Sequence, residues 1–416
     1  MSRKSKLVNH VLMWAIWSSG FAIQRASAIE WEAVELPVKL TVGYAVRAVD
    51  VNQDGRQDIA IVDSKRVLWL ENPSWKEHVI YSTPDAKADN VCFAPHDVDG
   101  DGLIDFALGA DWQPNNTDAG GSIGWLHQQP RGKWTYHAIT NEPTTHRMHW
   151  VDLKAGQKSL VVAPLKGRGS RAPGFDQTGV RFLALTPGGA DQKWDSRLLL
   201  DSLHVSHNFH LCDLDRDQRT DFVCASYEGA TWIRLNPQGD VAESWRIGIG
   251  QEQAPPTSGA SEIRTGQLGD GRSFLATIEP WHGDKVVTYV APKNWLDMVA
   301  DKSQADSSKR LWHRTVVDDE LAWGHAIACV NLDEDPEDEM VIGIRDNRSD
   351  VHRCGVRVYD SRLDSASGTV DWRRQIVDAG AVAVEDLITA DFDGDGRQDI
   401  IAVGRATHNA KLYFNR

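Results

Sequence analysis

The stretch Asp391–Gly404, DFDGDGRQDIIAVG, places acidic side chains at positions 1, 3, 5 and 9 of a short loop. That spacing is typical of a calcium-binding loop between two helices, in which alternate residues supply hard oxygen ligands. Here the loop is followed by β-branched and apolar residues, which favour a buried strand rather than a helix. The stretch therefore predicts an acidic hairpin between two β-strands.

The acidic loop recurs along the chain at intervals of 47 to 64 residues, which suit a four-stranded propeller blade. Two degenerate copies start at Asp152 and Gln267, where Lys154 and Gly269 break the pattern. The five regular copies place candidate calcium ligands at Asp50, Asn52, Asp54, Asp58, Asp97, Asp99, Asp101, Asp105, Asp213, Asp215, Asp217, Asp221, Asn331, Asp333, Asp335, Glu339, Asp391, Asp393, Asp395 and Asp399.

A second marker repeats with the same count. Seven strand-like runs each begin with a tryptophan, at Trp31, Trp75, Trp134, Trp194, Trp245, Trp312 and Trp372. Two further apolar segments lie between each loop and the next tryptophan, which gives four strands per repeat. The first tryptophan strand precedes the first loop, so we expect it to complete the last blade and remove the free sheet edges. The sequence predicts an all-β fold, a seven-bladed β-propeller over residues 29–416 closed by the N-terminal strand.

Residues 1–28 have the order of a secretory signal peptide. Arg3, Lys4 and Lys6 precede an apolar run, and small residues lead to a cleavage site after Ala28. We expect a secreted or periplasmic protein with no membrane span. Cleavage shifts the formal net charge from -14 to -18. An acidic chain is a poor partner for nucleic acid or anionic lipid and is suited to binding cations.

Five cysteines are scattered along the chain, which is too few for a disulfide framework. Cys212 and Cys224 flank one acidic loop. The sequence leaves open whether they form a disulfide or are two buried free thiols.

The acidic loops crowd carboxylates within a few ångströms, and a divalent cation would relieve their mutual repulsion. With their blade-length spacing they resemble the FG-GAP, or VCBS-type, repeats of integrin-like propellers. The resemblance implies structural calcium rather than a catalytic ion. The alternative is a network of Asx-turns that holds no metal.

Functional groups are expected on the face opposite the loops, where the first strand of each blade starts. Three histidines occupy the position six residues before the loops, although the 15 histidines among 416 residues would place about a quarter of one there by chance. With Glu262 or Glu385 nearby, they predict a Zn²⁺ or Mn²⁺ site, or acid and base groups. The alternative is that they only hydrogen-bond neighbouring blades. The seven positions are Tyr44, Val91, His146, His207, Ser261, His325 and Glu385.

The turns after the second strand of each repeat combine aromatic and basic residues on the same face. Trp112, Arg168 and Trp281 are the residues we expect to bind a hydroxyl-rich ligand such as a sugar. Four further polar side chains occupy the position three residues before a loop. Strand parity predicts that they pack between blades: Arg47, His149, His210 and Arg264.

Several phrases, among them HRMHWVDL, SHNFHLCDLDRD, EPWHGD and WGHAIACVNLDED, resemble the propeller part of aldos-2-ulose dehydratases. The resemblance implies an enzyme that acts on oxidised sugars such as 1,5-anhydrofructose and glucosone. Those enzymes carry further cupin-like domains, which this sequence does not show, so their isomerase activity is not expected.

The leading hypothesis is a metal-assisted lyase or dehydratase that acts on a keto-sugar by β-elimination. His146, His207 and His325 would hold the metal. His210, His282 or Glu262 would accept the proton. Lys166 or Arg345 would assist departure of the oxygen. One alternative is a non-catalytic propeller that binds a glycan or a protein, and another is a pectin-type polysaccharide lyase.

Overall fold

A computed structural model describes most of the chain. The predicted signal peptide lies outside the described residues apart from Ala28. The described ranges are 28–84, 87–154, 156–188, 193–301, 310–333, 335–350, 352–364 and 368–416.

Seven four-stranded antiparallel sheets form a ring, and each sheet is one blade. Blade 1 contains β2 (Gly43–Val49), β3 (Asp58–Asp63), β4 (Arg66–Glu71) and β5 (Lys76–Ser82). Blade 2 contains β6 (Cys92–His96), β7 (Asp105–Ala110), β8 (Ser122–Gln129) and β9 (Lys133–Asn141). Blade 3 contains β10 (Thr145–Lys154), β11 (Gln157–Pro164), β12 (Phe182–Thr186) and β13 (Asp195–Leu200). Blade 4 contains β14 (Asn208–Cys212), β15 (Asp221–Ser226), β16 (Gly229–Leu235) and β17 (Val241–Gly248).

Blade 5 contains β18 (Glu262–Gln267), β19 (Ser273–Glu279), β20 (Lys285–Val290) and β21 (His313–Asp318). Blade 6 contains β22 (Gly324–Val330), β23 (Glu339–Ile344), β24 (Gly355–Leu363) and β25 (Val370–Asp378). Blade 7 contains β26 (Val384–Ala390), β27 (Asp399–Gly404), β28 (Ala410–Asn415) and β1 (Trp31–Glu35). The prediction of a seven-bladed β-propeller is confirmed.

The N-terminal strand belongs to the same sheet as the C-terminal strands. β1 pairs antiparallel with β28, with Trp31 opposite Asn415 and Glu35 opposite Lys411. The strand order of blade 7 is therefore β1-β28-β27-β26. This pairing leaves β28 covered on both sides.

The core lies between neighbouring blades. In five blades the second strand is buried along its whole length, because sheets on both sides cover it. This explains why DIIAVG reads as an unbroken apolar run. The outermost strands alternate between half-buried and exposed residues, as in β9.

The acidic residue at position 9 of each regular loop is completely buried. Asp221 accepts hydrogen bonds from the backbone N–H of Leu235 at 3.2 Å and from Trp232 Nε1 at 2.9 Å. Asp399 accepts from the backbone N–H groups of Phe392 and Asn415, both at 2.9 Å. The position 9 carboxylate thus links the loop to the third strand of its own blade.

We expect Asp221→Ala to lower the free energy of unfolding by about 3–5 kcal/mol, because it leaves two buried donors unpaired. Urea unfolding in a calcium chelator measures this effect without a contribution from bound calcium. The control is Asp118→Ala, which removes only an exposed ion pair with Arg171 and should cost less than about 1 kcal/mol. Equal losses in the two variants would contradict the structural role of position 9.

The five cysteines are free, so the possible Cys212–Cys224 disulfide is not formed. Cys224 lies opposite Phe209 in the β14–β15 ladder, which separates it from Cys212. Within the described ranges the helical structure includes α1 (Trp295–Ala300), and no helix there has the length and apolar character needed to cross a membrane.

Candidate functional site

β-Bulges set the side chains at the mouth of the propeller, the face opposite the acidic loops. In blades 3 and 6 the strand register skips one residue at His146 and at His325. The same irregularity falls at Tyr44 in blade 1 and at Glu385 in blade 7. A bulge leaves one residue unpaired in the ladder and re-aims its side chain. Four of the seven positions predicted for this face are therefore bulge residues.

His207, which directly precedes β14, lies at the centre of a histidine cluster. Its Nδ1 donates to Glu262 Oε1 at 2.7 Å, and Asn208 Nδ2 donates to the other carboxylate oxygen. His207 and Glu262 are each 1% exposed. The carboxylate fixes the proton on Nδ1 and leaves the Nε2 lone pair for another partner, which is the usual arrangement of a metal-binding histidine.

Backbone carbonyls orient the two other predicted ligands. His325 Nδ1 donates to the carbonyl oxygen of Glu385 at 2.6 Å, which leaves its Nε2 lone pair facing the cluster. His146 Nδ1 donates to the carbonyl oxygen of His207 at 2.9 Å. However, His146 Nε2 accepts a hydrogen bond from Arg147 Nη1 at 3.1 Å. His325 is therefore poised as a ligand, whereas the Nε2 lone pair of His146 is already engaged.

His282 enters the cluster from the turn between β19 and β20. Its Nε2 lies 2.8 Å from His207 Nε2, and its ring centroid is 4.9 Å from that of His325. Its φ of 51° lies in the left-handed region, which is strained for a residue with a Cβ and is maintained only by its surroundings. Trp281 stacks on the His282 ring with a centroid separation of 4.1 Å and holds it in place.

The clustered imidazoles are neutral at physiological pH. Burial lowers the pKa of His207 and of His282 well below the ordinary value, and nearby positive charge lowers each further. Burial and then the Arg345 guanidinium lower the pKa of His325 to about 3. Neutral imidazole is the form that binds metals.

Nitrogen atoms of His207, His282 and His325 all lie within 4.8 Å of one another. Three neutral imidazoles fit a borderline divalent ion such as Zn²⁺. The sequence predicted His146, His207 and His325 for this role. The structure brings all of these rings to one place, since His146 and His325 lie 4.6 and 5.1 Å from His207 by ring centroids. It places His282, predicted as a proton acceptor, in contact with His207 and His325, whereas His146 contacts Arg147.

Three tryptophans surround the cluster. Trp281 meets His207 edge-on at 6.0 Å, and Trp112 lies 5.1 Å from His146. Trp323 is 46% exposed, lies 5.5 Å from His282 and carries the Arg345 guanidinium 4.7 Å above its ring. Exposed indole rings beside polar groups are typical platforms for the apolar faces of sugars.

Glu385 closes the mouth on the side of blade 7. Its carboxylate accepts from Arg405 Nη1 at 2.7 Å and lies 3.9 Å from Arg345 and 4.0 Å from His325 Nε2. Glu385 Oε2 is buried without a hydrogen-bond partner. Burial raises its pKa, and the two arginines oppose that rise. A buried carboxylate oxygen that lacks a donor is an expected feature of a ligand site.

Lys166 and Arg168 belong to the loop between β11 and β12. Lys166 Nζ donates to Asn115 Oδ1 at 2.8 Å and lies 3.6 Å from the centre of the Phe175 ring. Burial lowers the pKa of Lys166 to about 8. Arg168 pairs with the buried Glu142 at 3.0 Å. Lys166 therefore retains proton-transfer capacity near neutral pH, whereas Arg168 already has a partner.

Among the described residues, His210 has no contact with the histidine cluster. It lies three residues along β14 from His207, about 10 Å deeper in the fold. Its pKa falls to about 3 because of burial and the neighbouring Arg264. Glu262, another predicted proton acceptor, orients His207 instead.

The acidic loops form the hydrogen-bond network of Asx-turns. In the loop from Asp97, the first carboxylate accepts the backbone N–H groups of Gly100 at 2.8 Å and Gly102 at 2.9 Å. Carboxylate oxygens of Asp97, Asp99 and Asp105 also lie within 4.8 Å of one another. The same convergence occurs at Asp213, Asp215 and Asp221, and at Asp333, Asp335, Glu339 and Asp360. The turn network and a cation site are therefore compatible.

Sequence reasoning missed Trp323 and the pairing role of Arg147, and placed His282 in a different role. Trp323 stands directly before the His325 strand in the phrase WGHAIAC. The sequence feature that could have identified Trp323 is its position two residues before His325, a predicted metal ligand. The role of His282 depends on a strained turn, which residue spacing does not reveal.

Two models of known families match parts of this chain. A family model for the aldos-2-ulose dehydratase beta-propeller domain matches residues 120–292, and a model for the FG-GAP-like repeat matches residues 50–108. The chain is a repeat β-propeller that resembles the propeller domain of aldos-2-ulose dehydratase. The dehydratase-like segment contains His207, Glu262 and His282.

Solved structures share the fold at low sequence identity. A chain of a mitotic checkpoint complex aligns at 9% identity over 99% of both chains, with a TM-score of 0.54. BBS1N, solved in complex with ARL6DN, aligns at 11% identity over 93% of this chain and 97% of its own, with a TM-score of 0.51. An Agrocybe aegerita lectin that recognises terminal N-acetylglucosamine aligns at 12% identity over 90% and 85%, with a TM-score of 0.51. At these identities only the fold is shared. No curated protein sequence matches this chain.

Proposed function

We propose that the protein is a metal-assisted lyase that acts on a keto-sugar by β-elimination. The observation that carries the proposal is the convergence of His207, His282 and His325, from three consecutive blades, at a mouth lined by tryptophans. The dehydratase-like segment supports a sugar as the substrate class. Structural calcium in the acidic loops is a separate part of the proposal.

The three histidines would hold a divalent metal such as Zn²⁺ or Mn²⁺. Such an ion would supply a Lewis acid that polarises the ketone group of a sugar. Glu262 and the carbonyl of Glu385 fix the ring orientations of His207 and His325 before a substrate arrives. This preorganisation lowers the cost of stabilising the transition state.

The β-elimination needs one proton acceptor and one proton donor. The C–H bond beside the ketone breaks, its proton goes to the acceptor, and the electron pair forms the C=C bond as the β-oxygen leaves. Glu385 is the best-placed acceptor, since its Oε2 is buried without a hydrogen-bond donor and its Oε1 lies 4.0 Å from His325 Nε2. Lys166, with a pKa of about 8, would protonate the departing oxygen. The products are an unsaturated ketone and either water or an alcohol.

A substrate panel tests this reaction. Purified protein is incubated with 3-keto-glucosides, 1,5-anhydrofructose and a uronate polymer, and the absorbance of the conjugated carbonyl product is followed. We expect turnover of a keto-sugar. Turnover of the uronate polymer alone would favour a polysaccharide lyase. Sugar binding with no turnover, and with calcium as the only bound metal, would favour the non-catalytic glycan-binding alternative.

Trp323 is expected to act as the sugar platform. We expect Trp323→Ala to raise KM about 10-fold with little change in kcat, because stacking stabilises bound substrate and transition state equally. Steady-state kinetics on the accepted keto-sugar measures both constants. The matched control is Tyr136→Ala, which removes an exposed aromatic ring from the outer strand β9. A fall in kcat at unchanged KM would contradict the platform role.

A further inference from the structure

The central channel of the propeller carries a second layer of polar side chains below the histidines. Arg147 of blade 3 lies 3.6 Å from Glu262 of blade 5, and these two blades are not neighbours in the ring. Residues five positions before the loops therefore reach into the channel. Residues three positions before the loops have the same strand parity and face the same way, one step deeper. We call the polar members of that deeper layer the channel ring: Arg47, His149, His210 and Arg264.

The position of the channel ring adds to the expectation that these side chains pack between blades. His149 does contact Phe209 of the neighbouring blade, with ring centroids 4.9 Å apart. But Arg47 and Arg264 both act electrostatically on His149, although they stand on blades 1 and 5 and it stands on blade 3. Strand parity directs the side chains of these three non-adjacent blades toward the channel, so their charges act on His149 across it.

The arginines of the channel differ in their partners. Arg47 pairs with Asp386 at 3.1 Å, and Arg147 lies 3.6 Å from Glu262. Arg264 donates to the backbone carbonyl of Ile263 at 2.7 Å. Among the residues that the structure describes, no carboxylate oxygen lies within 4.0 Å of Arg264. The channel walls thus carry one guanidinium more than they carry carboxylates.

The two histidines of the channel ring, His149 and His210, can donate hydrogen bonds without adding charge. Burial is the main reason that the pKa of His149 lies well below its ordinary value and that of His210 is about 3, so both rings are neutral. All four side chains of the ring are half-buried, so part of each is accessible to solvent. A channel enclosed by protein, which has a low dielectric constant, concentrates the field of an excess charge on its walls.

We propose that the central channel binds one small monovalent anion, with the Arg264 guanidinium as the main donor and Arg47, His149 and His210 around it. One anion would balance the single excess positive charge. Halides and the carboxylate group share the required chemistry: one negative charge, small size and a capacity to accept several N–H donors. The source is either a free inorganic anion or the carboxylate of a sugar acid that enters the channel. This site is independent of the proposed lyase activity.

Thermal unfolding as a function of chloride tests the site. Ionic strength is kept constant with the salt of a bulky organic sulfonate, so that general screening does not change. We expect the Tm of the wild type to rise by roughly 2–4 °C and then saturate, because the anion binds only the folded state. Arg264→Met should abolish the rise. Arg246→Met, which changes an exposed arginine on β17, should keep it.

Two further measurements identify which anion binds and keep the proposal testable if the Arg264→Met variant does not fold. Glucuronate is compared with methyl glucoside: a saturable rise with glucuronate and none with chloride would assign the site to a sugar carboxylate. If Arg264→Met does not fold, chloride-35 NMR line broadening by the wild type, competed by bromide, reports the site directly. The proposal is overturned if neither chloride nor glucuronate gives a saturable rise and no broadening occurs. An equal rise in Arg264→Met would overturn it as well.

Discussion

His207→Ala is expected to remove the bound transition metal and to reduce lyase activity by about 10³-fold or more. The imidazole of His207 contacts both other candidate ligands, at centroid distances of 4.5 Å to His282 and 5.1 Å to His325, and its Nδ1 is fixed by the Glu262 carboxylate. Its loss leaves two nitrogen ligands, too few for a structural or catalytic zinc site. Metal content by plasma mass spectrometry and initial rates on the accepted keto-sugar measure the two effects.

Two companion variants separate a metal role from a folding role. Glu262→Gln keeps the size of the side chain but weakens the acceptor for His207 Nδ1, so metal affinity should fall about 10- to 100-fold while some activity is kept at high metal concentration. His313→Ala removes an exposed histidine at the start of β21 and should keep both metal and activity. A His207→Ala protein that is folded, retains one tightly bound transition metal and turns over normally would refute the proposed centre.

The fold was predictable because the regular repeats contain local markers of their own blades. The acid at position 9 is buried and accepts backbone hydrogen bonds from its own blade, as Asp399 does from Phe392 and Asn415. The tryptophan that starts the fourth strand supplies an equally regular marker. Local sequence patterns that occur seven times along the chain therefore predict a ring of seven blades, although the sequence alone shows no long-range contact.

The site was only partly predictable because it depends on irregular backbone. Counting six residues back from each loop found His146, His207 and His325, since these positions are equivalent in every blade. Whether an imidazole there keeps a usable lone pair depends on its neighbours. Arg147, next in sequence to His146, donates to that ring, and no residue spacing indicates this.

His282 shows the limit of sequence reasoning most clearly. It lies in a turn rather than at an equivalent strand position, and its left-handed backbone aims the ring at His207. The bulges at His325 and Glu385 act in the same way, since one extra residue re-aims a side chain that strict alternation would direct elsewhere. Functional groups thus lie where the backbone departs from the repeat, and regular patterns predict those places least well.

Removal of calcium is expected to lower the Tm of the protein by roughly 10 °C at pH 8. Three loops carry aspartate at all four ligand positions, and each ion contributes about 2.7 kcal/mol when its free concentration is 100 times Kd. Without the ion, carboxylates that lie within 4.8 Å of one another, such as those of Asp213, Asp215 and Asp221, repel each other. Thermal unfolding with and without a calcium-selective chelator measures the difference, and added Mg²⁺ should not replace calcium because it prefers tighter octahedral sites.

The same measurement at lower pH supplies an internal control. Burial raises the pKa of Asp105 and of Asp399 to about 6 and that of Asp221 to about 7 in the metal-free protein. Below those values each carboxyl binds a proton in the folded state, and calcium must displace that proton before it binds. The decrease in Tm on chelation should therefore shrink steadily between pH 8 and pH 5. If chelation leaves the Tm unchanged at pH 8, the turn network alone stabilises the loops and structural calcium is refuted.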